Sequence, residues 1–399
     1  MSAQVDVVQV AVGGYGASLL ETLLELGQEY PLRLAGMVDP APEQSPAWDV
    51  VQRLDAPLYG SLREFYREHG AGLAVIASPI HHHCPQTCLA LAQGSHVMCE
   101  KPLGATVQEA RRMAEARDRE GRFVAIGYQW SFSPTILRLK EDIMAGRFGA
   151  PLRLRTLVLW PRDHAYYARN DWAGAVRDAE GRWILDSPVN NAVAHFLHNM
   201  LFCLGPERDR SVELRDVTGE TYRANDIENY DTAALRCHTA GGVEVLYFCS
   251  HAVAEQRGPE FVYEFEDATL TIDGLGGEVT ARFADGAEES YGVPDNSPGP
   301  KLRACLDAIR DGRQIPCGVE ASSAQTLCMN GLHDSAGEIV DFPPSLVRIE
   351  GGRTYVEGLG QVLSEGYEAG ELPSERQVPW AGEGRTVDLT DYGDFPGGG

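Results

Sequence analysis

The chain reads as an α/β protein: an N-terminal doubly wound parallel sheet, then an α+β domain built on a large, open, mostly antiparallel sheet. Three observations predict this. Short continuous apolar runs, VVQVAV (7–12), LRLAGMV (32–38), LAVIAS (73–78), SHVMC (95–99) and FVAIG (123–127), alternate with helical segments. Such runs suit strands buried on both faces, and strand–helix alternation implies parallel pairing. A glycine-rich turn, Gly13-Gly14-Tyr15-Gly16, directly follows the first run and opens a helix. Beyond about residue 132 the texture changes to long alternating runs: 152–160, 230–239, 243–253, 261–273 and 279–284. Alternation of that kind marks strands with two unlike faces.

The intervening helices are placed at 17–26, 61–68, 84–93 and 106–120, with Gly94 as the cap after the third. A further helix spans 134–145, and another 190–204. The boundaries drawn are 1–128 for the first domain, 129–375 for the second, and 376–399 for a C-terminal tail that frays past 388.

Composition narrows the function classes. The 399 residues carry a net charge of -24, which argues against nucleic acid or anionic membrane as partner, since phosphate binding needs a positive patch. Nine cysteines at irregular spacing do not form a disulfide framework. With no basic leader and no long apolar run, a reducing cytoplasm is the expected location. No metal site is expected: His81, His82 and His83 are consecutive, project in different directions and lack a companion carboxylate cluster.

The glycine turn fits a dinucleotide fingerprint of Rossmann type. Gly13 and Gly16 stand as second and third glycines, and Ala11 occupies the place of the first. There the backbone approaches a pyrophosphate and the helix N-terminus supplies N–H donors. Asp39, ending the second strand, can accept from ribose hydroxyls and repels a 2′-phosphate, so NAD is favoured over NADP.

The segment Ser78-Pro79-Ile80-His81-His82-His83, followed by LALAQGSHVMCEKPL, carries a more specific pattern. It resembles the Gfo/Idh/MocA oxidoreductases, whose chains run T-P-N-x-x-H, a helix and strand, then E-K-P. The likeness continues through GYQWSFSP (127–134) and GRFGAPLRLR (146–155) and covers residues 5 to about 345. It implies that Tyr15, Ser78, Pro79, His83, Glu100, Lys101 and Gln129 join Gly13, Gly16 and Asp39 around NAD. It also implies a cis Lys101-Pro102 bond. Lys101 would lie by the nicotinamide and stabilise developing alkoxide charge.

The family's D-x-G-x-H pattern falls on Asn191 to His195, with Asn191 at the aspartate and Val193 at the glycine. On a helix, Asn191 and His195 would share a face. His195 is then the general base, weakened because an amide cannot stabilise an imidazolium by charge. Asp186 or the strip Asp226–Asp231 could replace that charge. Trp160, Arg162, Tyr167 and Trp172 suit a sugar ring, offering aromatic faces and donors.

The expected function is an NAD-dependent oxidoreductase moving a hydride between nicotinamide and a carbinol carbon of a sugar, sugar derivative or cyclic polyol. Lys101, His195 and Asn191 form the catalytic set, and Asn191 and His195 also contact substrate. The alternatives are a redox-neutral, NAD-dependent glycoside-cleaving enzyme and a non-catalytic NAD-binding sensor. A homodimer or homotetramer through the second domain's sheet completes the expectation.

Overall fold

The computed structural model describes residues 4–396. The chain divides into two compact units, one of residues up to Gly104, Gln108–Ser133 and Asp295–Ser322, the other of Ala105–Val107, Pro134–Pro294 and Ser323 onward.

In the first unit β1 (Val5–Val10), α1 (Tyr15–Leu26), β2 (Leu32–Val38), α2 (Trp48–Val51), β3 (Leu58–Tyr59), α3 (Leu62–Glu68), β4 (Leu73–Ile76), α4 (Ile80–Ala92), β5 (His96–Cys99), α5 (Val107–Glu120) and β6 (Val124–Ile126) follow in order. The six strands form one sheet, β3-β2-β1-β4-β5-β6, with every pair parallel. Strand order reverses between β1 and β4, which creates the switch point where ligands bind in such sheets. The apolar runs explain the core: Val7, Val8, Leu73, Val75, Ile76, Val97 and Met98 are fully enclosed. Ser61 and Glu64 form a reciprocal capping box that starts α3. α4 begins at Ile80, four residues before the expected Cys84, so the histidine run lies on its first turn. The short β3 was not expected, because two residues carry no periodicity.

The second unit opens with α6 (Pro134–Met144), β7 (Pro151–Leu159), α7 (His164–Ala168) and α8 (Ala194–Cys203). Then come β8 (Leu214–Arg223), β9 (Thr232–Thr239), β10 (Glu244–Ser250), β11 (Arg257–Phe265), β12 (Ala268–Asp273), β13 (Val279–Phe283) and β14 (Glu288–Gly292). The segment α9 (Gly299–Asp311) belongs to the first unit, and α10 (Val319–Ala336) crosses the boundary. The chain closes with β15 (Val340–Asp341), β16 (Val347–Glu350), β17 (Arg353–Val356), α11 (Leu359–Ala369) and β18 (Val387–Asp388).

The large sheet runs β14-β13-β12-β11-β7-β10-β9-β8-β15, with β18 also on β8. It is mostly antiparallel; β10 with β7 and β15 with β8 are the parallel pairs. The single strand expected over 261–273 is a hairpin, turning between Phe265 and Ala268 with Glu264 opposite Thr269. Alternating burial continues through both arms, which hides the turn from a pattern search.

Three expectations change. The first unit takes in 295–322, beyond the boundary drawn at 128, because α9 packs on α1. The sheet through which a second copy was expected to pack is covered on one face, over β7–β10, by this chain's own α11, where Leu359, Leu363 and Tyr367 join Leu157, Leu246 and Phe248 in one cluster. The tail is not frayed at 389–396: Leu389 donates its N–H to Arg215 O, and Phe395 is buried against Trp183. Residues 397–399 lie outside the described chain.

Candidate functional site

The glycine turn in the first unit has the shape a pyrophosphate requires. A Cβ at Gly16 would fall inside contact distance of the Ala11 carbonyl oxygen, whereas nothing approaches a Cβ at Gly13 or Gly14. Gly16 therefore permits close strand–helix packing, and the open side lies at Gly13 and Gly14. α1 has no side-chain cap at its N-terminus, so its first-turn donors suit an anion. Ala11 adopts φ 65, a left-handed conformation, which explains why glycine is usual at its place. Asp39 directly follows β2 and fastens the turn: Oδ2 accepts from Val12 N–H at 3.0 Å and Oδ1 from Ala41 N–H at 2.9 Å. Each oxygen keeps a second acceptor position for a ribose hydroxyl.

The Glu100-Lys101-Pro102 turn follows β5 at the same sheet edge, and the Lys101-Pro102 bond is cis. Glu100 is almost fully buried and pairs with the Lys301 ammonium, which is wholly buried. Its other oxygen accepts from the Lys101 N–H at 3.3 Å. Gly127 leaves room for this carboxylate, since a Cβ there would stand 2.6 Å from Glu100 Oε1. Lys301 also donates to the Tyr15 hydroxyl at 3.2 Å, and that hydroxyl donates to Gln129 Oε1 at 3.4 Å. Gln129 in turn donates to the Asn296 carbonyl at 3.1 Å. Burial works against the Lys301 charge, but Glu100 and then Tyr15 outweigh it and hold the ammonium above its ordinary range. Burial pushes the Tyr15 phenol up; Lys301 opposes that shift and Glu100 adds to it.

His83 does not present its ring to a ligand. Nδ1 lies 2.7 Å from Pro102 O and Nε2 2.8 Å from Ser78 O, with the residue 1% exposed. Burial depresses its pKa, although both carbonyls pull the other way. The cofactor-edge role expected for His83 is thus replaced by a strap between the end of β4 and the Lys101 turn. Ser78 Oγ donates to Gln86, and Pro79 stands at the N-cap position of α4.

The second unit holds the remaining candidates. α8 starts at Ala194, not Asn190, so Asn191 lies in the preceding turn and does not share a helical face with His195. Its amide donates to Asp186 Oδ1 at 2.6 Å, and Oδ2 of Asp186 accepts from Gly174 N–H at 2.6 Å. Arg169 approaches that carboxylate at 3.9 Å. His195, half-buried, is the second residue of α8 and meets Phe196 edge-on. The far end of α8 is held by Lys140, fully buried, which donates to the carbonyls of Phe202 at 2.6 Å and Arg210 at 2.5 Å.

Trp160 and Arg162 follow β7. The Arg162 guanidinium lies 5.7 Å from the Trp160 ring and 4.7 Å from Tyr166, and the Arg169 guanidinium covers Tyr166 at 3.8 Å and Trp172 at 5.1 Å. His251 faces Tyr166, and burial with the Arg162 charge pulls its pKa to about 3. Tyr167 lines a cleft of about 730 Å³ with His164, Asn225, Asp226 and Glu228, which brings together the two strips noted in the sequence. Asp231 is not a spare charge: buried, it accepts from the N–H groups of Ala224 and Asn225, the Asn225 amide and Thr232.

Lys301, Asn296 and His251 escaped the sequence reading. The available signal for Lys301 was a lysine one turn before Cys305, on the apolar face of an amphipathic helix.

Residues 6–128 match the family model described as "Oxidoreductase family, NAD-binding Rossmann fold". They belong to the Gfo/Idh/MocA oxidoreductase family. Among curated relatives, the chain is 31% identical over 195 residues to D-xylose 1-dehydrogenase (NADP(+)) of Hypocrea jecorina, covering 46% of this chain and 48% of that one. It is 25% identical over 271 residues to inositol 2-dehydrogenase of Mycolicibacterium gilvum, covering 65% and 71%. The chain spans about half the length, or less, of the first curated relatives it matches. A crystal structure of the WlbA dehydrogenase from Bordetella pertussis, in complex with NADH and UDP-GlcNAcA, superposes with TM-score 0.71 at 18% identity, covering 84% of this chain and 96% of that one. At that identity the likeness is one of fold. The Gfo/Idh/MocA domain accounts for the glycine turn, and its NAD-binding fold agrees with the cofactor expected from Asp39. Among the described residues no helix is long and apolar enough to cross a membrane.

Proposed function

We infer that this protein is an NAD-dependent dehydrogenase acting on a carbinol carbon of a sugar, sugar derivative or cyclic polyol. The observation that carries the reading is the buried Glu100–Lys301 pair, which fixes the Lys101 turn at the carboxyl edge of β5 in an NAD-binding domain.

The residues present fit the dinucleotide. Gly13, Gly14 and the α1 N-terminus suit the pyrophosphate, and Asp39 suits the ribose hydroxyls. The nicotinamide, when bound, exchanges a hydride with the substrate carbon. Lys101 stabilises the charge that develops on the alcohol oxygen; His195, in the second unit, is the candidate general base. Tyr15 and Gln129 hold the cofactor side, with Glu100, Ser78, Pro79 and His83 shaping the turns behind it. Trp160, Arg162, Tyr167 and Trp172 supply ring faces and donors for a polyhydroxylated substrate. Asn191, bonded to Asp186, positions the turn before His195 rather than charging its ring. A cytoplasmic location and a homodimer or homotetramer through the part of the second unit's sheet that α11 leaves uncovered belong to the same proposal.

A panel of aldoses, inositols and sugar acids incubated with NAD tests this. Reduced nicotinamide is expected to accumulate with at least one of them, and Lys101→Ala is expected to lower kcat by about a hundredfold or more. Net turnover with no reduced cofactor appearing would point to the redox-neutral reaction, and no turnover with any alcohol would contradict the proposal.

A further inference from the structure

Lys301 lies outside every motif that announces the nucleotide domain, yet it is the most buried cation in the first unit's site region. Its side chain is 0% exposed and that of Glu100 8%. Two separate segments bond it directly, the Glu100 turn and the first residue of α1, and Gln129 after β6 joins through the Tyr15 hydroxyl. Glu100 uses its second oxygen to accept from the backbone of Lys101, so whatever holds Glu100 also holds the residue expected to do chemistry.

We propose that Lys301 is a positioning residue, which ties the Lys101 turn to the glycine loop through Glu100 and the Tyr15 hydroxyl. The proposal rests on the dehydrogenase reading. A buried ion pair is a poor stabilising device, because desolvating both charges cancels most of their attraction. Replacing both partners by neutral residues of similar shape is commonly tolerated, whereas removing one strands a buried charge. The pair is therefore explained by what it places. Without Lys301, an ionised Glu100 has Lys101's ammonium as its nearest cation in sequence. With it, Glu100 is neutralised from behind by the Lys301 ammonium. Tyr15 carries the same constraint to the pyrophosphate loop, because it is the residue at which α1 begins.

The double variant Glu100→Gln/Lys301→Met and the single variant Tyr15→Phe separate placement from stability. NADH affinity is read by fluorescence titration of the full chain, alongside the thermal midpoint and the KM for an alcohol substrate. The double variant is expected to keep the parent's midpoint within a few degrees, while binding NADH about tenfold more weakly and raising the alcohol KM more than about twofold. Tyr15→Phe, which keeps the ring and loses only the hydroxyl link, is expected to weaken NADH by about threefold and decides the matter if the double variant does not fold. NADH affinity within about twofold of the parent in every variant that folds would overturn the proposal and leave the dehydrogenase reading intact. Absence of NADH binding by the parent would overturn both.

Discussion

Asn191 carries the largest residue-scale departure from the family pattern, and its surroundings reverse a simple expectation. Aspartate at this place would be expected to raise the basicity of His195. In the structure the amide instead donates to the buried Asp186 carboxylate at 2.6 Å. Asn191→Asp would set two carboxylates against each other, and one of them would hold its proton well above the ordinary range. A raised folded-state pKa gives stability that is full below the unfolded value and is lost as pH rises through the folded one. The variant is thus expected to be about 2 kcal/mol less stable than the parent near pH 8, with the gap shrinking as pH falls below about 5. Urea unfolding at the two pH values checks this; a gap that does not change with pH would show that the two side chains do not meet. None of this was legible in the sequence. Asp186 was visible as a nearby acid, but its contact with Asn191 depends on a turn that carries no periodic signal.

The glycine turn argues at the scale of elements. β1 and α1 meet so closely that a single methyl at Gly16 would strike the Ala11 carbonyl, a backbone atom with no rotamer to relieve it. Gly16→Ala is expected to push α1 away from β1 and lower NADH affinity by more than about tenfold. Gly13→Ala meets no atom within 4 Å in the ligand-free chain, so its thermal midpoint is expected to match the parent's, as calorimetry of both variants would show. Elements of this kind were well marked in the sequence. Continuous apolar runs gave β1, β2, β4, β5 and β6 to within a few residues, since buried parallel strands leave little choice of side chain. Boundaries set by local hydrogen bonding were less visible. α4 reaches back to Ile80, with Pro79 at the N-cap position, and α8 starts only at Ala194 because the residues before it are spent on a turn. The β11–β12 hairpin was read as one strand because residues 261–273 carry alternation in both arms and contain no glycine or proline to mark the turn.

Across the whole molecule, the nucleotide domain was readable because its chemistry sits in contiguous stretches: Gly13–Gly16, Asp39 and Glu100–Pro102. The parts that escaped arrive from far along the chain. Lys301 joins the Glu100 turn over 201 residues of sequence, and Asn296 joins Trp130 over 166. α11 covers a sheet face whose strands alone suggested an interface. Local pattern cannot report such pairings, which depend on how the second unit's chain returns. The account's central claim is that residues 6–128, with α9, hold a nicotinamide dinucleotide through Gly13, Gly14, Asp39 and the Lys101 turn. Asp39 favours ribose hydroxyls over a 2′-phosphate. Parallel calorimetric titrations of the full chain with NADH and NADPH test it most directly. Saturable binding of NADH, about tenfold or more tighter than NADPH, is the result predicted. No saturable binding of either nucleotide, or tighter binding of NADPH, would contradict it.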